Sequence, residues 1–173
     1  MNHRPRRTLR LLPLVLIALV GLSTLAACGG DSGAAVDYEA AEMDTGDPVS
    51  VTSLRGDPVL LVSWATWCRQ CDEELARLQD FATSDDADGV TIVAVNLDAA
   101  SVDDEIAAKI EQHQLTVPQW RDRRNDFKRT FKAIGVPTTV LIDADGMVAG
   151  TFPGALDFDN EEFVASLDEV RTK

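Results

Sequence analysis

The sequence predicts an α/β fold with a mixed central sheet, and three observations carry that prediction. Two short apolar runs, Val59–Trp64 and residues 90–97, are each followed by a stretch whose apolar residues recur at helical spacing. Strand, helix, strand, helix in that order is the pattern of parallel strands covered by helices. A later pair of strand-like runs, 138–142 and 147–152, flanks Asp143-Ala144-Asp145-Gly146. That turn sequence closes an antiparallel hairpin, so the sheet is mixed. The length of 173 residues suits one compact domain and is too short for two ordinary ones.

Residues 49–52 read as a short edge strand ahead of Val59–Trp64. Residues 69–83 place Leu75, Leu78 and Phe81 on one helical face among charges. Residues 102–113 form a second helix carrying Ile106 and Ile110, with glutamate and lysine at supporting spacings. Phe127 and Phe131, four apart, mark a third helix over 125–134, ended by Gly135. Residues 161–171, with Phe163, Leu167 and Val170, close the chain as a fourth. No internal repeat interrupts this order.

The front end reads differently. Arg4, Arg6, Arg7 and Arg10 form a basic head, residues 11–22 an apolar stretch, and Leu25-Ala26-Ala27 a run of small residues before Cys28. This is the layout of a secretory signal over residues 1–27, and its apolar part is too short to span a bilayer. Leu25-Ala26-Ala27-Cys28-Gly29 resembles a bacterial lipobox, which makes Cys28 the lipidated N-terminus. The plainer alternative is a secretory cleavage site with a chance cysteine beside it. Residues 28–46, rich in Gly, Ala, Ser and Asp, read as a flexible tether, leaving 47–173 as the folded domain.

Charge narrows the partners. The chain carries a net charge of -13, and removing the four arginines of the first 27 residues takes it to -17. Such a surface repels nucleic acid and anionic lipid headgroups, so acyl chains on Cys28 must hold the protein at the membrane.

Cys68 and Cys71 stand three apart directly behind the first buried strand. A structural zinc site needs about four ligands, and beyond this pair the processed chain offers only His113, so no metal is expected. A purely structural disulfide closing so small a loop removes little chain entropy. A redox pair has a physical mechanism. A helix beginning near residue 68 sets the first sulfur among free backbone N–H groups at the positive end of the macrodipole, which favours a thiolate. Cys68 is then the attacking thiol, and Cys71, one turn on, the resolving one.

Trp64-Ala65-Thr66-Trp67-Cys68-Arg69-Gln70-Cys71 resembles the active site of thioredoxins, and in its Trp-Ala-Thr-Trp-Cys form the TlpA/ResA-type extracytoplasmic thiol-disulfide oxidoreductases, relatives of the AhpC/TSA and Redoxin proteins. The resemblance continues through Val95-Asn96-Leu97-Asp98, Leu115-Thr116-Val117-Pro118, Gly135-Val136-Pro137-Thr138-Thr139 and Leu141-Ile142-Asp143-Ala144-Asp145-Gly146. It implies a thioredoxin-like fold and a dithiol that exchanges electrons with cysteine pairs of exported proteins. No dissociable cofactor is implied, only the redox-active Cys68-Cys71 disulfide. It further implies a lipid-anchored monomer on the outer side of the cell membrane, served by a membrane electron donor or acceptor protein. Reducing disulfides, for example those of apocytochrome c, is the task the family analogy favours. A disulfide-forming oxidase or isomerase, and a redox-inert lipoprotein that merely binds a partner, remain open. The Pro-x-x-x-Thr-x-x-Cys context of peroxidatic cysteines is absent.

By the same resemblance Pro137 is the cis-proline facing the dithiol. From the residues alone it is a proline at a strand start. The Val136 backbone would pair with an extended substrate, Trp67 would flank the exposed sulfur, and Trp64 would pack in the core. Glu74, three after Cys71, matches the family's active-site glutamate. Helical spacing turns it under the dithiol, where a desolvated carboxyl has a raised pKa and can relay the Cys71 proton. The competing reading is a solvated glutamate in the run Asp72-Glu73-Glu74. Val62 stands where thioredoxin has its buried aspartate, so a proton relay has to come from Glu74. Arg121, Arg123, Arg124, Lys128, Arg129 and Lys132 read as one solvated basic helix face, able to dock an acidic partner.

Overall fold

The computed structural model describes residues 34–172. Seven strands form one mixed sheet: β1 (Glu39–Glu42), β2 (Pro48–Ser50), β3 (Val59–Trp64), β4 (Thr91–Asn96), β5 (Gln119–Arg121), β6 (Thr138–Ile142) and β7 (Val148–Pro153). Their order across the sheet is β2-β1-β5-β4-β3-β6-β7. β3, β4 and β5 run parallel; on one side β6 pairs antiparallel with β3 and β7 with β6, and on the other β1 pairs antiparallel with β5 and β2 with β1. Four helices cover it: α1 (Arg69–Ala82), α2 (Asp103–Gln112), α3 (Asp126–Thr130) and α4 (Glu161–Arg171).

β3 is buried on both faces because it lies mid-sheet between helical layers. Its side chains alternate between two cores. Leu60, Val62 and Trp64 meet Leu75 and Leu78 of α1, Ile106 of α2, and Phe163 and Leu167 of α4. Val59 and Leu61 face Tyr38, Trp120, Phe127 and Phe131 on the other side. Each fully buried Leu, Val or Phe contributes roughly 1.5–3 kcal/mol, so the central strand is the most firmly held platform for whatever follows it.

The mixed sheet of the α/β reading is present, and its hairpin closes as expected. Gly146 adopts φ +86°, a conformation open to glycine, and the Asp143 carboxylate accepts the N–H groups of Asp145 and Met147. Trp120 packs in the second core.

Three local expectations are corrected. Within the stretch 28–46 read as a tether, Glu39–Glu42 is a strand, pairing with β2 and β5. It is held from the side by buried Tyr38, whose ring meets Phe127 and Phe131 edge-on, and by the Val36 N–H donating to the Gly146 carbonyl. The ordered body therefore starts before residue 47. The expected strand at 49–52 ends at Ser50, whose hydroxyl accepts the Thr52 N–H and opens a 3-10 turn over Val51–Leu54. The helix expected over 125–134 shrinks to α3, because Asn125 and Lys132 both adopt positive φ. The signal at 1–27 and the lipidation site Cys28 lie outside the described residues. Among those described, no helix is long and apolar enough to cross a membrane.

Candidate active site

The carboxyl end of β3 delivers the chain through Ala65, Thr66 and Trp67 to Cys68, which caps α1. Cys68 has extended dihedrals (φ -89°, ψ 104°), and its sulfur accepts the Cys71 N–H at 3.2 Å. That contact places Sγ in the position a serine or aspartate oxygen takes at a helix start, where free N–H groups and the macrodipole favour negative charge. Cys71 sits one turn later, and the two sulfurs are joined, with Cα atoms 5.3 Å apart. Cys68 is 7% exposed and Cys71 1%. Cys68 is thus the more accessible of the two.

The Val136–Pro137 peptide is cis, and the Val136 carbonyl oxygen lies 3.5 Å from Cys68 Sγ. In the dithiol form the Cys68 S–H can donate along that line. No group among the described residues accepts the Val136 N–H. Trp67, next to Cys68 in the chain, is 65% exposed, whereas Trp64 is buried. The structure thus brings Cys68, Cys71, Trp67, Val136 and Pro137 to one end of the sheet.

Glu74 is 1% exposed despite lying in an acidic run. Its Oε1 accepts the Thr139 hydroxyl at 2.9 Å and the Leu156 N–H at 3.2 Å, while Oε2 is buried without a partner. Burial raises its pKa from 4.5 to about 7; the Leu156 N–H, the Thr139 hydroxyl and the charge of Arg77 pull the other way and lose. The solvated reading is therefore excluded by geometry. Asp72 behaves oppositely. Burial pushes its pKa up, but hydrogen bonds and charge from Lys109 and His113 outweigh this and hold the carboxyl below its ordinary value.

Asp98, 3% exposed, is a buried carboxylate that was not singled out from the sequence. Asp98 accepts the Thr66 N–H and hydroxyl, each at 2.9 Å, and the Asn96 amide at 2.8 Å. Asn96 Oδ1 in turn accepts from Arg121, whose other amino group donates to the Ala100 carbonyl. This chain ties the Thr66-Trp67-Cys68 loop to β4 and β5. The Val95-Asn96-Leu97-Asp98 string was the available signal, and its pairing with Thr66 was not legible. The same contacts correct the basic face. Arg121 is buried at the end of β5, Arg123 pairs with Asp103, and Arg124 and Arg129 pair with Asp126. Only Lys128 and Arg129 of the six lie on α3, since that helix spans just Asp126–Thr130.

A profile of the AhpC/TSA family matches residues 32–151. The chain belongs to the AhpC/TSA family. Within it, the chain is 34% identical over 114 residues to the thiol-disulfide oxidoreductase ResA of Oceanobacillus iheyensis, covering 66% of this chain and 58% of that protein. It is 27% identical over 112 residues to the sporulation thiol-disulfide oxidoreductase A of Bacillus subtilis, covering 64% and 67%. The chain spans about three fifths of the length of the ResA proteins it matches. Among solved structures, a candidate thiol:disulfide interchange protein DsbE from Chlorobium tepidum superposes with a TM-score of 0.67 at 26% identity, covering 79% of this chain and 94% of that one. StoA from Bacillus subtilis shares the fold at a TM-score of 0.62 and 23% identity, covering 77% and 97%. The thioredoxin-like fold expected from the motif is the fold of these neighbours.

Proposed function

We propose that the protein is a membrane-anchored, extracytoplasmic thiol-disulfide oxidoreductase that reduces disulfides in exported proteins. The observation that carries the reading is the Cys68-Cys71 pair at the start of α1, with the outer sulfur facing Val136 and Pro137 and a buried carboxyl, Glu74, one turn beyond the inner one. Relatives named thiol-disulfide oxidoreductase support it.

In the reductive cycle the Cys68 thiolate attacks one sulfur of a substrate disulfide. A mixed disulfide forms, and the substrate's other sulfur leaves as a thiolate that takes up a proton. Cys71 then loses its proton and attacks Cys68, releasing the second substrate thiol and closing the Cys68-Cys71 bond. Two electrons pass from the dithiol to the substrate, and a membrane electron donor protein restores the dithiol. Glu74, with its pKa near 7, accepts the Cys71 proton when ionised and returns it on reduction. The unpaired Val136 N–H and the neighbouring carbonyl are suited to an extended substrate backbone. Trp67 and Pro137 flank the reacting sulfurs. Lipidation of Cys28 holds this domain at the membrane, and apocytochrome c is one substrate such placement suits.

Insulin-disulfide reduction by the purified protein, with Cys68→Ser as control, tests the reaction. Turnover by the wild type and none by the variant is expected; equal rates overturn the reading. A reduction potential close to about -270 mV, that of thioredoxin, assigns the reductant role, and one close to about -120 mV assigns an oxidase instead.

A further inference from the structure

We infer that Arg77 is a positioning residue for proton transfer at the dithiol: it holds the main chain of Leu156 so that the Leu156 N–H stays on the Glu74 carboxyl. The inference rests on the dithiol-exchange reading above and adds a residue to its proton step.

Glu74 and Arg77 stand three apart on α1, so their side chains leave the helix as neighbours on one face. Both end on the same residue of the loop between β7 and α4. The Leu156 N–H donates to Glu74 Oε1 at 3.2 Å, and the Leu156 carbonyl accepts from Arg77 Nε at 3.1 Å. Neither group has a main-chain partner among the described residues, so side chains of α1 hold both. Just before it, Gly154 adopts φ +84° and donates its N–H to the Pro137 carbonyl at 2.9 Å. The Leu156 side chain is buried in the core that contains Cys71 and Leu75.

Packing of that side chain fixes where the residue sits, but not how its main chain is turned. A carbonyl deprived of its donor swings toward water or another donor, and the N–H of the same residue turns with it. The carboxylate would then lose one of the two hydrogen bonds on Oε1. Of the influences that hold the Glu74 pKa down against burial, the Leu156 N–H is the largest, ahead of the Thr139 hydroxyl and the charge of Arg77. The arginine therefore acts more through the loop it holds than through its own charge. Among the described residues it is also the one charged group acting on this carboxyl: β6 presents the Thr139 hydroxyl and the loop the Leu156 N–H.

In the closing step Glu74 takes the Cys71 proton and the Cys71 sulfur attacks Cys68 Sγ. The bond from Cys68 to the substrate sulfur breaks, and that sulfur leaves with the bonding pair and takes a proton from water. Oε1 carries both hydrogen bonds, which leaves Oε2, buried without a partner, to receive the Cys71 proton.

The test uses the full chain with Arg77→Gln, which loses the positive charge, and Arg77→Lys, which keeps the charge but not Nε. Carbon-13 NMR of the glutamate-labelled disulfide form follows the Glu74 carboxyl, identified by its absence in Glu74→Gln. One backbone N–H lowers a carboxylate pKa by roughly one pH unit. The Glu74 midpoint is expected to rise by about half to one pH unit in Arg77→Gln, and by at least about half as much in Arg77→Lys. From a midpoint of about 7, this leaves about two- to fivefold less ionised carboxyl at pH 7. Release of the second peptide thiol, in a single turnover of the dithiol form with a disulfide-bonded peptide, is expected to slow by that factor. Its pH profile should be displaced equally, and Arg77→Gln should add no slowing where Glu74→Gln is already present. A midpoint unmoved in Arg77→Gln overturns the proposal. So does Arg77→Lys equal to the wild type, because the arginine would then act as a charge alone, and so does a moved midpoint with an unmoved release profile. Failure of the underlying reading looks different: the wild type releases no peptide thiol, or Cys68→Ser releases it as fast.

Discussion

Replacing Glu74 by glutamine removes a carboxyl whose burial raises its pKa from 4.5 to about 7. The folded chain therefore holds this proton more tightly than the unfolded chain does, and the resulting stability is complete below pH 4.5. It is lost as pH rises through the window between 4.5 and 7, since the unfolded chain ionises first, and above pH 7 both states are ionised. With those two pKa values the loss between pH 5 and pH 8 is about 2.5 kcal/mol. Glu74→Gln lacks the term, so its stability relative to the wild type should rise by that amount over the same interval. A fixed cost of the amide's unmatched hydrogen bonds cancels in the comparison. Urea unfolding of the disulfide form isolates the effect, because neither Cys68 nor Cys71 titrates there. With a slope of about 1–3 kcal/mol per molar urea, the Glu74→Gln midpoint should rise relative to that of the wild type by about 1 M or more between pH 5 and pH 8. Parallel midpoints from pH 5 to pH 8 refute the reasoning, and with it the proton-handling role.

Asp98→Ala removes the acceptor of three hydrogen bonds from Thr66 and Asn96, and should destabilise the fold by about 2–4 kcal/mol in urea unfolding; a change under 1 kcal/mol would show that the network does not hold the loop. Cys71→Ser should accumulate a mixed disulfide with substrate at Cys68, visible on non-reducing gels, whereas Cys68→Ser should not. Thr139→Val removes the hydroxyl that lowers the Glu74 pKa, so the stability transition of the wild type should move to higher pH in this variant; an unmoved transition denies the contact its effect.

How much of this was legible follows from the range of each interaction. The periodic elements were readable because their signals are local: β3, α1, β4, α2, the β6-β7 hairpin and α4 all appear within about two residues of expectation. β1 was not, because Glu39-Ala40-Ala41-Glu42 has no apolar alternation and is ordered by backbone pairing with β2 and β5. β5 is three residues long, too short for a period to show. In the site, spacing alone put Cys68, Cys71 and Glu74 on one end of α1. The partners that define Glu74, Thr139 and Leu156, lie 65 and 82 residues away, and Asp98 meets Thr66 across 32. Such contacts are made by the sheet order, which no local pattern encodes.

The most direct measurement is the pH profile of alkylation of the reduced protein, with the modified residue identified by mass. A sulfur in the cap position of α1, accepting the Cys71 N–H, should react at Cys68 with a midpoint clearly below the value of about 8.5 for free cysteine, while Cys71 stays protected. A midpoint at or above that value, with both cysteines modified at similar rates, would contradict it.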